Sequence, residues 1–210
     1  MTPWTFFLEH RSEILEATLA HLLLVVTAMA FAIAIGLPLG LLIVHRPTLR
    51  NISLGVASVF QTIPSLALFG FLIPIPFIGG IGRRTAIVAL VLYALLPILR
   101  NTYVGLTGID PAVLESAEAM GMTEAQIVWR VRFPLALPVI LAGIRTATIL
   151  TIGIATIAAA IGAGGLGTFI FRGVAMVSDA VILAGAIPAA LLAILANILL
   201  SWIERRLRVA

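Results

Sequence analysis

Residues 108–138 read GIDPAVLESAEAMGMTEAQIVWRVRFPLALP and form the one long polar interruption in an otherwise apolar chain. Their local signals agree with one another. Asp110 is a good N-cap, and Pro111 suits the first helical position, where its missing N–H costs nothing. By helical spacing, Val113, Leu114, Ala117 and Met120 share one face, while Glu115 and Glu118 lie on the other. Gly121 then ends the helix, because glycine adopts positive φ without a steric penalty. Thr123 and Gln126 have capping-box spacing, which predicts a second helix from Glu124 to about Arg132, with Pro134 helping to end it. This bent element, 110–134, is either a solvated loop or a dock. An apolar face at a membrane surface has little to pack against except a partner, which favours the dock.

On either side of it the chain is built for lipid. Of 210 residues, 61% are hydrophobic and 10% charged, and the mean hydropathy is +1.19, whereas a soluble domain carries roughly 25% charged residues. Five apolar segments recur, about Leu19 to Val44, Ile52 to Ile78, Thr85 to Val104, Leu135 to Ile161 and Ala180 to Ile203. Each is long enough to cross a hydrocarbon layer of roughly 30 Å as a helix. The expected fold is all-α, a polytopic membrane protein of about five spanning helices. Pro38, Pro64, Pro97, Pro138 and Pro188 lie inside these segments and predict kinks or helix ends.

The net charge of +4 comes from 13 arginines and no lysine, set against nine acids. Nucleic-acid binding would need those arginines clustered on one exposed face; instead they flank the apolar segments, as membrane topology requires. With the N-terminus outside, the inner side holds eight (Arg46, Arg50, Arg100, Arg130, Arg132, Arg205, Arg206 and Arg208), and the outer side four (Arg11, Arg83, Arg84 and Arg172). Positive charge concentrates on the cytoplasmic side, so this orientation is preferred. Residues 1–18, with Glu9, Glu13 and Glu16 against Arg11, lack the basic start of a signal peptide and are expected outside as a short amphipathic segment. One domain then runs over 19–202, followed by a cytoplasmic tail, 203–210.

Enzyme chemistry has no visible site. Cysteine is absent, and His10, His21 and His45 lie on different segments without metal-ligand spacing. No Ser/His/Asp grouping presents itself, and there is no G-x4-G-K-[ST], so a P-loop in this chain cannot hydrolyse ATP. Gly162-x-Gly164-x-x-Gly167 spells a dinucleotide fingerprint but follows an Ala/Ile/Thr-rich span and lacks the acid about 20 residues on. It reads better as a tight turn at the outer face, near where a delivery protein docks. No acid lies deep in any span, which argues against an ion-coupled secondary transporter.

Several motifs carry a resemblance. Glu115-Ser116-Ala117, three residues, Gly121, nine residues, and Val131-x-Phe133-Pro134 are similar to the EAA loop of ATP-binding-cassette importer permeases, E-A-A, x3, G, x9, I-x-L-P. Ser116, Val131 and Phe133 are conservative departures from it. Phe60 to Ala67, Tyr93 to Thr102, Gly143 to Ala147 and Ile161 to Gly167 resemble permeases for glycine betaine, carnitine and choline. Methionine permeases share the size and the five-span plan, which keeps amino-acid transport as the alternative.

The resemblance implies a type I importer permease in a prokaryotic cytoplasmic membrane. It implies two ATPase subunits that bind ATP and Mg, a second permease copy or paralogue, and an extracytoplasmic substrate-binding protein. The chain itself needs no cofactor. Asp110, Glu115, Ala117, Gly121 and Pro134 become the coupling residues. Candidates for the substrate path are Gln61, Pro64, Ser65, Tyr93, Thr148 and Thr151. Gln61 can equally bond between helices, and the threonines can bond their own backbone. Arg145, costly in lipid, should face protein, water or the inner interface. The spans offer few aromatic faces for a quaternary amine beyond Phe60, Phe69, Phe71 and Tyr93, which places selectivity mainly in the binding protein.

Overall fold

In the computed structural model, which describes residues 3–207, the chain is helical from end to end. The helices are α1 (Pro3–Glu9), α2 (Arg11–Ile43), α3 (Pro47–Thr62), α4 (Ser65–Leu72), α5 (Arg83–Thr107), α6 (Pro111–Ala119), α7 (Glu124–Ile127), α8 (Phe133–Ile157), α9 (Gly167–Ala175) and α10 (Asp179–Arg206). A π-helical turn, Val128–Arg132, joins α7 to α8, and a 3-10 turn, Ala158–Ile161, follows α8. Four stretches are long and apolar enough to span a bilayer: α2, α5, 124–161 and α10. Arg208, counted above on the inner side, lies outside the described residues.

The second apolar segment departs from the expected straight span. Instead of one helix over Ile52 to Ile78, α3 and α4 meet at an angle of 106°. Pro64 is the cause. A proline disfavours the helical conformation of the residue before it, and Ile63 is extended, at φ −72° and ψ 128°. The bent pair still makes a crossing. Gly36 packs on Ile98 and Gly40 on Thr102, so α2 and α5 run parallel, and parallel neighbours need a return path between them. The remaining interior prolines, Pro38, Pro97, Pro138 and Pro188, sit within continuous helices.

Small residues set the spacing of the bundle. Gly105 packs on Ala136 while Gly143 packs on Pro97 and Asn101, which makes α5 and α8 antiparallel. Without a hydrophobic force between helices in lipid, close backbone approach is what holds such pairs. The main core lies where α2, α4, α5 and α8 meet, around Ala28, Phe69, Leu90, Ala94 and Ala155. A smaller cluster, Phe6, Ile14, Phe169, Ala180, Val181 and Ala184, ties α1 and the start of α2 to α9 and α10. The helix that carries the first apolar segment therefore begins at Arg11, ahead of Leu19, and α10 continues past Trp202 to Arg206.

A side chain at Gly143 has no room: a Cβ there would lie 2.5 Å from Asn101 Cβ and 2.8 Å from the Pro97 carbonyl oxygen. Gly143→Leu should therefore cost about 2 kcal/mol or more by overpacking. Gly153→Ala, where nothing lies within 4 Å of the added methyl, should be neutral or gain up to about 1 kcal/mol from helix propensity. Thermal unfolding of the purified protein in detergent distinguishes the two.

Candidate coupling element and membrane path

The polar interruption folds as its caps dictate. Asp110 accepts a hydrogen bond from the Ala112 N–H at 2.9 Å, and Pro111 opens α6. Gly121 stands at φ +76°. Its N–H bonds the Glu118 carbonyl at 2.8 Å, and the Met122 N–H bonds the Ala117 carbonyl at 3.2 Å. These paired bonds close a helix C-terminus through a left-handed residue, a conformation glycine adopts without strain. Thr123 and Gln126 form the reciprocal capping box, at 2.9 and 3.4 Å. Local bonds thus close both sides of this corner, and the corner is stiff.

The end of the second helix differs from expectation. Pro134 does not terminate it; 124–161 is one continuous helix of 38 residues. A proline ring clashes with the carbonyl four residues back, and in this chain the backbone widens to a π turn just before it. The Phe133 N–H bonds the Val128 carbonyl, five residues back on the same helix. The second helix of the polar interruption and the span are thus one continuous helix.

Of the five coupling candidates, Asp110, Glu115 and Gly121 are exposed, Pro134 is half-buried and Ala117 is buried. The expected apolar face of α6 splits. Ala117 turns inward at 2% exposure, while Val113 at 41% and Met120 at 74% face outward. Trp129, also exposed, leans on Phe133 with ring centroids 5.5 Å apart. Beside it a shallow cavity of about 460 Å³ opens between His45 and residues Glu124, Ala125, Val128 and Trp129. Exposed apolar groups beside a stiff polar corner suit a protein partner.

The path candidates fall into two groups. Pro97 lacks the N–H that would bond the Tyr93 carbonyl, and Gln61 Nε2 donates to that carbonyl at 3.0 Å. The Tyr93 hydroxyl donates to the Ile63 carbonyl at the α3–α4 break. Two proline defects on different helices are thus cross-satisfied by Gln61 and Tyr93. Pro64 and Ser65 lie at the same break, exposed and half-buried respectively. Thr148 and Thr151 make their contacts elsewhere. The Thr148 hydroxyl donates to the Ile144 carbonyl at 2.8 Å and lines an apolar groove between α2, α8 and α10, whereas Thr151 is fully buried against Met29 Sδ at 3.6 Å.

Two sets of contacts were not read from sequence. His21 is fully buried, with Nε2 3.2 Å from the Ile152 carbonyl and Gly165 packed on its ring. Arg145 Nη1 donates to Ser201 Oγ at 2.8 Å, and Nη2 lies 3.5 Å from Glu204 Oε2. At the other end of α8, Gly162, Gly164 and Gly165 all take positive φ. That turn borders a cavity of about 400 Å³ walled by Glu13 and Glu16 on one side and by Arg83 and Arg172 on others.

The family of inner membrane components of binding-protein-dependent transport systems matches residues 19–209. The chain belongs to that family. It is therefore a permease component of an import system. Its relatives include the carnitine transport permease protein OpuCB of Listeria monocytogenes, 45% identical across 97% of this chain and 92% of that one. The glycine betaine/carnitine/choline transport system permease protein OpuCD of Bacillus subtilis (strain 168) is 45% identical across 97% and 88%. Among solved structures, an inward-facing MetNI methionine ABC transporter superposes with a TM-score of 0.82 at 28% identity, covering 92% of the permease and 95% of that chain. The fold is that of type I ABC importer permeases.

If Gln61 and Tyr93 mend the two proline defects, Gln61→Leu and Tyr93→Phe should each destabilise the permease by about 1–2 kcal/mol, since each leaves a part-buried carbonyl without its side-chain donor. Their effects should be non-additive by about 0.5 kcal/mol or more, because both act at one junction. A double-mutant cycle on unfolding in mixed detergent measures this.

Proposed function

We propose that the permease forms the membrane path for a small quaternary amine, of the class of glycine betaine, carnitine or choline. The observation that carries this reading is the 45% identity, over nearly the whole chain, to permeases named for those solutes. Identity to the methionine transporter is 28%, which supports a shared fold more than a shared cargo. Two copies, or one copy and a paralogue, enclose the path. Two ATPase subunits, which bind ATP and Mg, sit against the inner face, and a substrate-binding protein delivers from outside. Hydrolysis belongs to those ATPases, and the permease brings no cofactor of its own.

In this reading the domain is 19–202, flanked by an external segment, 1–18, and an inner tail, 203–210. Glu115 is the exposed contact to the ATPase. Asp110 and Gly121 shape the corner that presents it, Ala117 seats α6, and Pro134 fixes the entry into the span. Pro64 and Ser65 border the path at the broken helix, Gln61 and Tyr93 hold that break open, and Thr148 and Thr151 shape the opposite wall through α2. The charged cavity at the glycine turn, bordered by Glu13, Glu16, Arg83 and Arg172, is the docking face for the binding protein.

Uptake of labelled glycine betaine, carnitine, choline and methionine by the reconstituted complex tests the cargo; preference for methionine would overturn it. Glu115→Lys and Gly121→Asp should reduce ATPase association about tenfold or more, with the charge reversal leaving the melting temperature unchanged because Glu115 is exposed.

Orientation has its own test, since the chain contains no cysteine. Phe77→Cys, at a site 95% exposed near the start of α5, should react with an impermeant maleimide in intact cells. Met120→Cys should react only after permeabilisation. The reverse pattern would refute an external N-terminus.

A further inference from the structure

The contact between Arg145 and α10 joins the helix that carries the coupling element to the helix that carries the opposite end of the molecule. Arg145 lies on α8, within the unbroken run 124–161. Its partners, Ser201 and Glu204, lie three residues apart on α10 and so share a face. Glu204 is only 7% exposed, while the Arg145 side chain is 32% exposed. A nearby cation stabilises a carboxylate this buried, and Arg145 supplies one.

Further along α10 the packing becomes close. A Cβ at Gly185 would lie 2.5 Å from the Leu166 carbonyl oxygen, and one at Gly173 of α9 would lie 2.5 Å from the Ile182 nitrogen. α9 and α10 are therefore pressed together backbone to backbone, and α9 begins directly after the glycine turn. From α6 and α7 a stiff sequence of contacts runs along α8, across Arg145 to α10, and along α10 to α9.

We infer that Arg145 and Glu204, with Ser201, form a polar strut that makes α10, and with it α9, follow α8, so that displacement of the coupling element moves the helices on both sides of the glycine turn together. They are positioning residues for transport, acting through helices and touching neither solute nor nucleotide. An ion pair suits this task better than apolar contact. An apolar seam can slide at little cost, whereas drawing the guanidinium away from a carboxylate that is only 7% exposed leaves that charge inside the protein without its arginine. The inference rests on the proposal that 110–134 receives the ATPase stroke.

The test uses the reconstituted complex of permease, ATPase and binding protein, and reads solute imported per ATP hydrolysed. Arg145→Gln should lower that ratio about tenfold, the order of a lost inter-site coupling, while ATPase association and hydrolysis persist. Arg145→Glu with Glu204→Arg should recover most of it. Because Arg145→Gln also risks unfolding, a second arm joins the helices covalently. The permease lacks cysteine, so Arg145→Cys with Ser201→Cys should be uncoupled until a short bis-methanethiosulfonate cross-linker, which joins the two thiols by displacing its two sulfinate groups, restores import per ATP. Full coupling in Arg145→Gln, or loss of import on cross-linking, would overturn the strut. Gly121→Asp separates the two proposals: it removes ATPase association only if the coupling element docks as proposed.

Discussion

Inside a bilayer a carbonyl that loses its helical donor has no water to turn to, so each break in a spanning helix must be answered by the protein itself. This chain places several prolines within its apolar segments, and its answers differ with position. At Pro64 the helix turns through 106°, and the Tyr93 hydroxyl reaches the Ile63 carbonyl left at the corner. At Pro97 the helix continues, and the Tyr93 carbonyl is taken by Gln61 from across the interface. One pair of side chains therefore resolves both faults and fixes how α3 and α4 lie on α5. The position of the broken helix, which the proposed path borders, depends on that exchange.

The same demand for paired backbone groups makes the polar interruption, the proposed dock, stiff. Its first helix is closed at both ends by local bonds, from Asp110 at the start to the glycine-centred pair of bonds around Gly121 at the finish. Its second helix has no end at all before the far side of the membrane. The π turn at Val128–Arg132 accommodates Pro134 without releasing the rod. In the proposed coupling, a push on α6 passes to α7 through a capped corner and then along a helix that runs without a break from Glu124 to Ile161.

Much of this was legible beforehand, and for definite reasons. Asp110-Pro111, Gly121 and Thr123/Gln126 act through bonds within a few residues of themselves, so their meaning survives without tertiary context. The five apolar segments reflect bilayer thickness, which is equally local. The 106° bend was not legible, because hydropathy counts residues and carries no direction. Pro134 misled for a related reason: proline removes one hydrogen bond wherever it sits, but whether a helix then stops or widens into a π turn depends on what the continuing helix packs against. Gly143 and Ala136 hold that continuation against α5. The Arg145–Glu204 contact joins residues 59 positions apart, by 204 − 145, and Glu204 among arginines looked like part of a solvated tail.

The distribution of polar groups bears on where selectivity lies. Thr146, Thr148 and Thr156 on α8 donate to carbonyls of their own helix, and Asn101 donates to the Pro97 carbonyl. Gln61 and Tyr93 are committed to the proline faults, and Thr151 is sealed against Met29. If a solute passes these helices as proposed, it meets hydroxyls whose protons are already placed, and few aromatic faces of the kind that hold a quaternary ammonium. Such a surface can pass a small polar solute but has little with which to grip it. Weak binding in the path favours release, since a transported species must leave as readily as it enters. In the proposed assembly, recognition then falls to the component that delivers the solute, and the permease is left to open, close and keep its own backbone satisfied.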